Sequence, residues 1–462
     1  MQSHSEASPA PQGGWRIHAD RGGTFTDIIG IAPDGSRHTH KLLSHAPGQY
    51  EDAVIAGTRA LLGLASDADV AEGQVAELRL GTTVTTNALL EGRHHPCALV
   101  INSGFEDLLA IGDQSRDDIF ALAIAPRTAL CARVAGVATR RAADGQCLLP
   151  LDPDALQRTL QALRDEGIDS LAIALMHGAH YPDEEQAIAT AARAAGFTHL
   201  CCSHWVSTEA GLLARAQTTV VEAALAPILQ RYTQRLASQL PGARIRCMQS
   251  DGNLADAAHF HARNSIFSGP AGGVIGATRI AAAGGVSRIV GLDMGGTSTD
   301  VFHAEGSAPV RSSVTVAGQQ VRAPALDLHT VAAGGGSQVF HDGARMRVGP
   351  ESAGAAPGPA CYGRGGPATI TDANLLLGRI YGEGFAPVFG PDGNAPLDAE
   401  RAYAAFAALL GDDADPSRVN AAALGALRLA VEQMAGAVRR VSVARGVDIT
   451  AHCLVAFGGA GG

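Results

Sequence analysis

The sequence predicts an α/β protein built on mixed sheets, and three observations lead there. Short apolar runs alternate with helix-period segments along most of the chain. The opening reads as an antiparallel meander rather than a strand–helix–strand unit. An eight-residue phrase, D-x-G-G-T-x-T-D, occurs twice, at residues 20–27 and 293–300, each time after one strand-like run and before another. With 462 residues the chain can hold two or more lobes with sizeable cores.

In chain order, residues 16–20, 26–32 and 39–43 are expected as strands, with turns at Gly22-Gly23 and Asp34-Gly35. Residues 49–64 carry Val54, Ala56, Ala60 and Leu61 near helical spacing. A strand is expected at 97–102. Asp152-Pro153 supplies N-cap and N1 signals for a helix with Leu156, Leu160 and Leu163 on one face. A buried strand at 170–176 and a helix at 183–195 follow. Residues 209–240 read as a long helix with a break at Pro227, 288–293 as an apolar strand, 420–445 as a second long helix, and 452–457 as a last strand before Gly458–Gly462.

Composition narrows the function classes. Hydrophobic residues are 46% and aromatics only 4%, so Ala, Val and Leu must fill the core. The net charge of −10, with no basic run, argues against a nucleic-acid partner, because such binding neutralises phosphates with Lys and Arg. Eight scattered cysteines form no CxxC pair, which suits reduced thiols and a cytoplasmic location. Residues 1–14 lack a basic start and an apolar stretch, so they are expected as a flexible tail and not a leader. No apolar run is expected to span a membrane.

The repeated phrase carries chemistry. Glycines in a hairpin turn let backbone N–H groups approach a phosphate with no Cβ in the way. Gly22, Gly23, Thr24 and Thr26 in the first copy, and Gly295, Gly296, Thr297 and Thr299 in the second, are the candidate phosphate cradles. Asp20 and Asp293 end the preceding strands, where they could hold a hydrated Mg²⁺ or orient an attacking oxygen. Asp300 is a further metal candidate, against the alternative of a cap or hairpin hydrogen bond that also stands for Asp27. One copy alone is an ordinary tight turn; two copies agreeing at six of eight positions are not.

This pair resembles the two phosphate motifs of the actin, Hsp70 and sugar-kinase superfamily, which implies a two-lobed ribonuclease H-like ATPase fold. That superfamily also has a Gly-rich adenosine loop late in the chain, and Phe457-Gly458-Gly459-Ala460-Gly461-Gly462 stands in its place, with Gly458, Gly459 and Gly461 lying against the nucleotide. Longer phrases narrow the resemblance: LGTTVTTNALLE at 80–91, SGPAGGV at 268–274, VAAGGGS at 331–337, VGPESAGAAPGPACY at 348–362 and TDANL at 371–375 are similar to the hydantoinase A/oxoprolinase family. Arg21 in DRGGTFTD, the KLLS at 41–44 and the FGGAGG ending resemble the ATP-dependent 5-oxoprolinase branch.

The resemblance implies ATP-dependent opening of a cyclic amide through phosphorylation of its oxygen, with ATP and Mg²⁺ as cofactors and K⁺ as an additional candidate. It equally accommodates the ATP-using subunit of a hydantoinase or an acetone-type carboxylase, or a truncated remnant without catalysis. It implies an N-terminal lobe at 15–204 and a hydantoinase A-type lobe at 205–462. Family chains continue past the FGGAG loop, so an incomplete last lobe, weak ATP hydrolysis alone, an oligomer, and a hydantoinase B-type subunit or further C-terminal half as partner are expected.

Other residues keep two readings. Thr82, Thr83 and Asn87 could touch substrate or cap a helix. Arg21 could offer a fork to a carboxylate or phosphate, or make a surface salt bridge. Gly334–Ser337 could form an anion nest or an empty turn. Cys361 reads better as a buried structural thiol than as a nucleophile. His177 and His180 are expected in a structural loop, His94-His95 exposed, and Glu209, Glu222 and Glu432 solvated.

Overall fold

Strict alternation builds the opening strands. In β1 (Trp15–Arg21) Ile17 and Ala19 face the core while Arg16 and Asp20 do not, and in β2 (Phe25–Ile31) Thr26, Ile28 and Gly30 face inward. The computed structural model describes residues 13–461 apart from 24, 47, 116, 117, 125, 126 and 386, so Thr24, Gly462 and most of the expected tail lie outside the described residues.

After β3 (Arg37–Leu43), Asp52 caps α1 (Ala53–Leu61) by accepting the N–H groups of Val54 and Ile55 at 2.9 and 3.2 Å. That cap explains why the helix begins at 53 and not at the 49 expected, and it ends at 61 just before Gly63 with φ +69°, short of the 64 expected. β4 (Val75–Thr82) and α2 (Val84–Leu90) follow. Then come four parallel strands, β5 (Cys97–Asn102), β6 (Arg133–Val137), β7 (Ser170–Ala174) and β8 (His199–Cys202), in the order β8-β7-β5-β6. Leu156, Leu160 and Leu163 of the helix Pro153–Asp165 pack on Leu171 and Ile173 of this sheet.

The long helix α3 (Leu212–Gln239) runs unbroken through Pro227. Val221, Leu225 and Leu229 on either side of the proline are buried against Ile17, Ile28, Leu78 and Leu80, and this packing outweighs the lost backbone hydrogen bond. β9 (Arg244–Met248) and β10 (Leu254–Asp256) complete a six-stranded sheet, β10-β9-β4-β1-β2-β3. Within it β1 is antiparallel to β2 and parallel to β4, and β4 is parallel to β9.

After α4 (Ser268–Ala283), the second copy of the motif builds its own sheet from β11 (Arg288–Met294), β12 (Thr299–Glu305), β13 (Leu328–Val331) and, beyond α5 (Pro416–Val441), β14 (Cys453–Phe457). Its order, β13-β12-β11-β14, repeats β3-β2-β1-β4 with the same strand directions. The repeat therefore extends from eight residues to four strands. The place taken by β9 beside β4 has no counterpart beside β14 among the described residues. Asp415 caps α5 and Pro416 occupies its first turn, so this helix begins earlier than the 420 expected.

The chain forms two compact units: residues up to Ala271 with Val310–Ala325, and Gly272–Pro309 with Leu326–Gly462. This is not the expected division at 204/205. β9 joins the first sheet by pairing with β4, and Arg322 donates its backbone N–H to Thr218 of α3 at 2.9 Å, which carries both later segments into the first unit. Against expectation, α3 and the stretch Pro416–Arg445 are long and apolar enough to cross a membrane by length and composition; 78% of the apolar window of α3 is buried, as in a core helix, and 33% of the other.

Candidate phosphate-binding turns

Both copies of the motif fold as the same hairpin. Asp20 lies opposite Asp27 and Asp293 opposite Asp300, and the Gly22 and Gly295 N–H groups donate across the turns to Phe25 O at 3.1 Å and Ser298 O at 2.9 Å. Gly23, Gly296 and Thr297 stand exposed at the tips. A Cβ on Gly23 would meet nothing within 4 Å, so folding does not demand glycine there. Close approach of a ligand to the backbone would.

The third strand of each sheet treats the second aspartate differently. Lys41 of β3 stands opposite Asp27 and donates to both its carboxylate oxygens at 2.7 Å. Thr330 of β13 stands opposite Asp300 and offers only a hydroxyl, at 2.5 Å. Burial pushes the Asp300 carboxyl up, with this hydrogen bond pulling the other way. Asp20 keeps accessible surface, yet the protein packed about its carboxylate, with Asp27 next, pushes its pKa up to about 6 against a smaller pull from Lys41.

Thr26 and Thr299 do not line the turns. Both are fully buried, and Thr26 shares a 2.9 Å hydrogen bond with Ser44, which donates to Gly22 O at 2.7 Å, while Thr299 donates to Ala333 O. They brace the hairpins from the core side because alternation puts them on the face opposite the aspartates. The first turn is held further by Thr83, whose N–H and hydroxyl both donate to Arg21 O, at 3.3 and 3.2 Å. Thr83 makes no capping bond in α2; Asn87 donates to its hydroxyl at 3.3 Å, and the Thr82 N–H donates to Ser268 at 3.2 Å.

In the second unit the Gly-rich phrase at 334–336 is a support and not an anion nest. The Gly335 and Gly336 N–H groups donate to Gly295 O and Gly296 O at 3.0 and 2.6 Å, and the Gly334 N–H to Ser337 at 2.8 Å. Thr371 donates its N–H and hydroxyl to Gly335 O at 2.7 and 2.8 Å. Asp372, buried in a capping box with Thr369, accepts the Ala360 and Cys361 N–H groups at 3.1 and 2.7 Å. The phrases at 331–337, 348–362 and 371–375 thus form one scaffold behind the second turn. Cys361 is buried, and burial raises its thiol pKa far above the ordinary value, which fits a structural residue.

The FGGAG loop lies against the second aspartate. Gly458 has φ +91°, and a Cβ there would come within 2.5 Å of Met294 O and closer still to an Asp293 carboxylate oxygen. The Ala460 N–H donates to Met294 O at 2.9 Å and the Gly461 N–H to Gly458 O at 3.2 Å; Gly459 is exposed. On the other side, a Cβ on Gly273 of α4 would stand 3.1 Å from Asp293 Oδ2. Asp293 is accordingly framed by small residues.

Three residues expected in solvent are drawn inward: Glu222, His94 and His95, the histidines being half-buried. Glu222 is buried, and accepts the Ala262 and Arg263 N–H groups at 3.1 and 2.8 Å. His95 is half-buried and bonds Asp169 at 2.5 Å. Arg21 forms no salt bridge among the described residues; its guanidinium carbon lies 5.2 Å from the Tyr232 ring centroid.

A duplicated strand order with an aspartate-flanked glycine turn in each copy defines a mixed α/β protein with two candidate phosphate sites. The family model Hydantoinase/oxoprolinase matches residues 215–462, and that for the Hydantoinase/oxoprolinase N-terminal region matches 16–196. The chain belongs to the hydantoinase/oxoprolinase family. A protein of Pestalotiopsis fici named 5-oxoprolinase PfmaA is 39% identical over 97% of this chain and 38% of its own length. The crystal structure of the ATP-dependent caprolactamase from Pseudomonas jessenii is similar with a TM-score of 0.75 at 30% identity, over 96% of this chain and 65% of its own. Nucleotide-free acetone carboxylase gives a TM-score of 0.76 at 23% identity, over 96% and 65%, and that likeness shows the fold alone. The chain thus spans well under half the length of the 5-oxoprolinase it matches.

Proposed function

We propose that this chain is the ATP-binding part of an enzyme that opens 5-oxo-L-proline to L-glutamate in the cytoplasm, with further polypeptide completing the catalyst. The single observation that carries the reading is the repeated hairpin, with an aspartate closing each side and an exposed glycine at the tip. Phosphoryl transfer asks a protein chiefly for positioning and charge neutralisation. Backbone N–H groups at the exposed tips, Gly23 and Gly296, supply donors for phosphate oxygens, while those of Gly22 and Gly295 close the turns beneath them. Asp20, Asp293 and Asp300 fit Mg²⁺, because a cation beside Asp20 or Asp300 offsets the desolvation that disfavours their charged forms.

In the reaction the lactam oxygen takes the γ-phosphoryl group of ATP, which makes the ring carbon electrophilic. ADP leaves, water adds to that carbon, and the ring C–N bond breaks to give a free amine and an acyl phosphate; a second water then hydrolyses the acyl phosphate to the carboxylate and phosphate. Asp20 and Asp293 are placed to orient the phosphoryl acceptor and its counter-ion. Eight cysteines without a disulfide among them support the cytoplasmic assignment. The test is ATP consumption by the chain with its completing polypeptide, offered 5-oxo-L-proline, hydantoin, caprolactam, or acetone with bicarbonate. Stimulation by 5-oxo-L-proline above the others is expected; stimulation by acetone with bicarbonate alone would replace this reading with a carboxylase.

A further inference from the structure

We propose that His452, His303 and Glu305 form a binding site for a transition-metal dication of the zinc class, at the end of the second sheet remote from its turn. His303 and Glu305 stand two residues apart on β12, so strand alternation sends both side chains to one face. That is the face of Val301, which packs with Val290 and Val441, and not the face of Asp300. Along a strand, the five residues from Asp300 to Glu305 span about 16 Å. The site therefore shares neither a face nor an end with the candidate phosphate turn. His452 comes to it from the other side of β11, in the bend between the helical turn Ile449–Ala451 and β14.

His452 is prepared as a ligand. Its side chain is 2% exposed, and its Nδ1 donates to Asp448 O at 2.9 Å. That bond puts the proton on Nδ1 and leaves a lone pair on Nε2. Nε2 is buried and has no hydrogen-bond partner. A Glu305 carboxylate oxygen stands 3.6 Å from it, too far for a hydrogen bond. Two ligand atoms about 2.1 Å from one tetrahedral ion lie about 3.4 Å apart, so an ion fits that gap. The His303 ring centre is 6.1 Å from that of His452. Two imidazoles on one zinc ion have centres about 5–6 Å apart, so rotation of His303 about its side-chain bonds brings a nitrogen to the ion. Water takes the fourth position. His303 is half-buried and Glu305 exposed, which opens the approach from solvent past the carboxylate. Arg288 is opposite Glu305 in register, but no ion pair joins them among the described residues. Two imidazoles and one carboxylate suit zinc and not Mg²⁺, which takes oxygen ligands. A tighter group, Glu185, Cys202 and His204, is satisfied without an ion: each Glu185 oxygen already accepts two hydrogen bonds, one from Leu175 and Ser203, the other from the N–H and ring of His204. An ion held by His452 and Glu305 ties β14 to β12 across β11, the strand that carries Asp293.

The test is calorimetric titration of Zn²⁺ into the chain, with Mg²⁺ in excess to fill carboxylate sites, and thermal unfolding with and without Zn²⁺. Wild type is expected to bind Zn²⁺ and to melt at a higher temperature with it. His452→Ala, His303→Ala and Glu305→Gln should each weaken one binding event about tenfold or more and remove the rise in melting temperature. Glu305 is exposed, so Glu305→Gln carries the test if a histidine variant does not fold. The proposal is overturned if wild type binds no Zn²⁺. It is equally overturned if the variants bind as wild type does, which would place the ion elsewhere, as on the exposed thiols of Cys147 and Cys453. Loss of binding in His452→Ala with wild-type affinity in both His303→Ala and Glu305→Gln would leave a lone histidine and no site.

Discussion

Asp20 is held closer to neutrality than an ordinary carboxylate by its surroundings, and this has a measurable sign. Its folded pKa of about 6 lies above the ordinary carboxylate value, so its contribution to stability is present in acid and is lost as pH rises through 6. Asp20→Asn should therefore raise the melting temperature at pH 8, with the gain shrinking toward pH 4; an equal gain at both would contradict the account. The same proton competes with a cationic ligand, so Mg–ATP affinity should fall between pH 7 and pH 5. At Gly458 a left-handed backbone and the crowding against Asp293 coincide. Gly458→Ala should cost about 1–3 kcal/mol in a denaturant titration and should weaken nucleotide binding as Asp293 is displaced. Aspartates and glycines of this kind are legible in a sequence because their roles follow from backbone geometry. Thr26 and Thr299 were not, because a hydroxyl in a strand reads the same whether it faces a ligand or the core. Arg21 was legible as unusual, but the Tyr232 that it stacks on lies more than two hundred residues away in the chain.

At the scale of elements, alternation located the opening strands to within two residues, and the Asp152-Pro153 signal placed its helix. Long-range packing decided the rest. α3 passes through Pro227 because its neighbours are buried, which no local signal shows. Glu222 on that helix looks solvated in sequence, yet it is tied to the 262–263 segment. Burial alone would raise its carboxyl pKa, but the His261 hydrogen bond and the Arg263 charge outweigh that and hold it below the ordinary range. Its stabilisation is therefore present near neutral pH and lost on acidification. Glu222→Ala should cost about 3 kcal/mol in urea unfolding at pH 7, from two orphaned N–H groups and unpaired basic neighbours, and clearly less at pH 4. A cost below about 1 kcal/mol at pH 7 would show that the contacts are idle. Gly334–Gly336 make the same point: a run of glycines signals freed N–H groups, but only the fold reveals that two of them are spent on the second turn.

At the scale of the whole molecule, the duplication is the organising fact. The repeated phrase anticipated a repeated strand order, 3-2-1-4 in both units, and the same aspartate register in both hairpins. The division into units was less legible, because the strand Arg244–Met248 and the segment Val310–Ala325 return to the first unit after long excursions. Duplication of the turn predicts duplication of its use. The most direct measurement is calorimetric titration of Mg–ATP into the wild-type chain and into two variants, Gly23→Val and Gly296→Val, each checked for an unchanged melting temperature. The account predicts that either substitution alone weakens ATP binding at least tenfold. Wild-type affinity in either variant would contradict it.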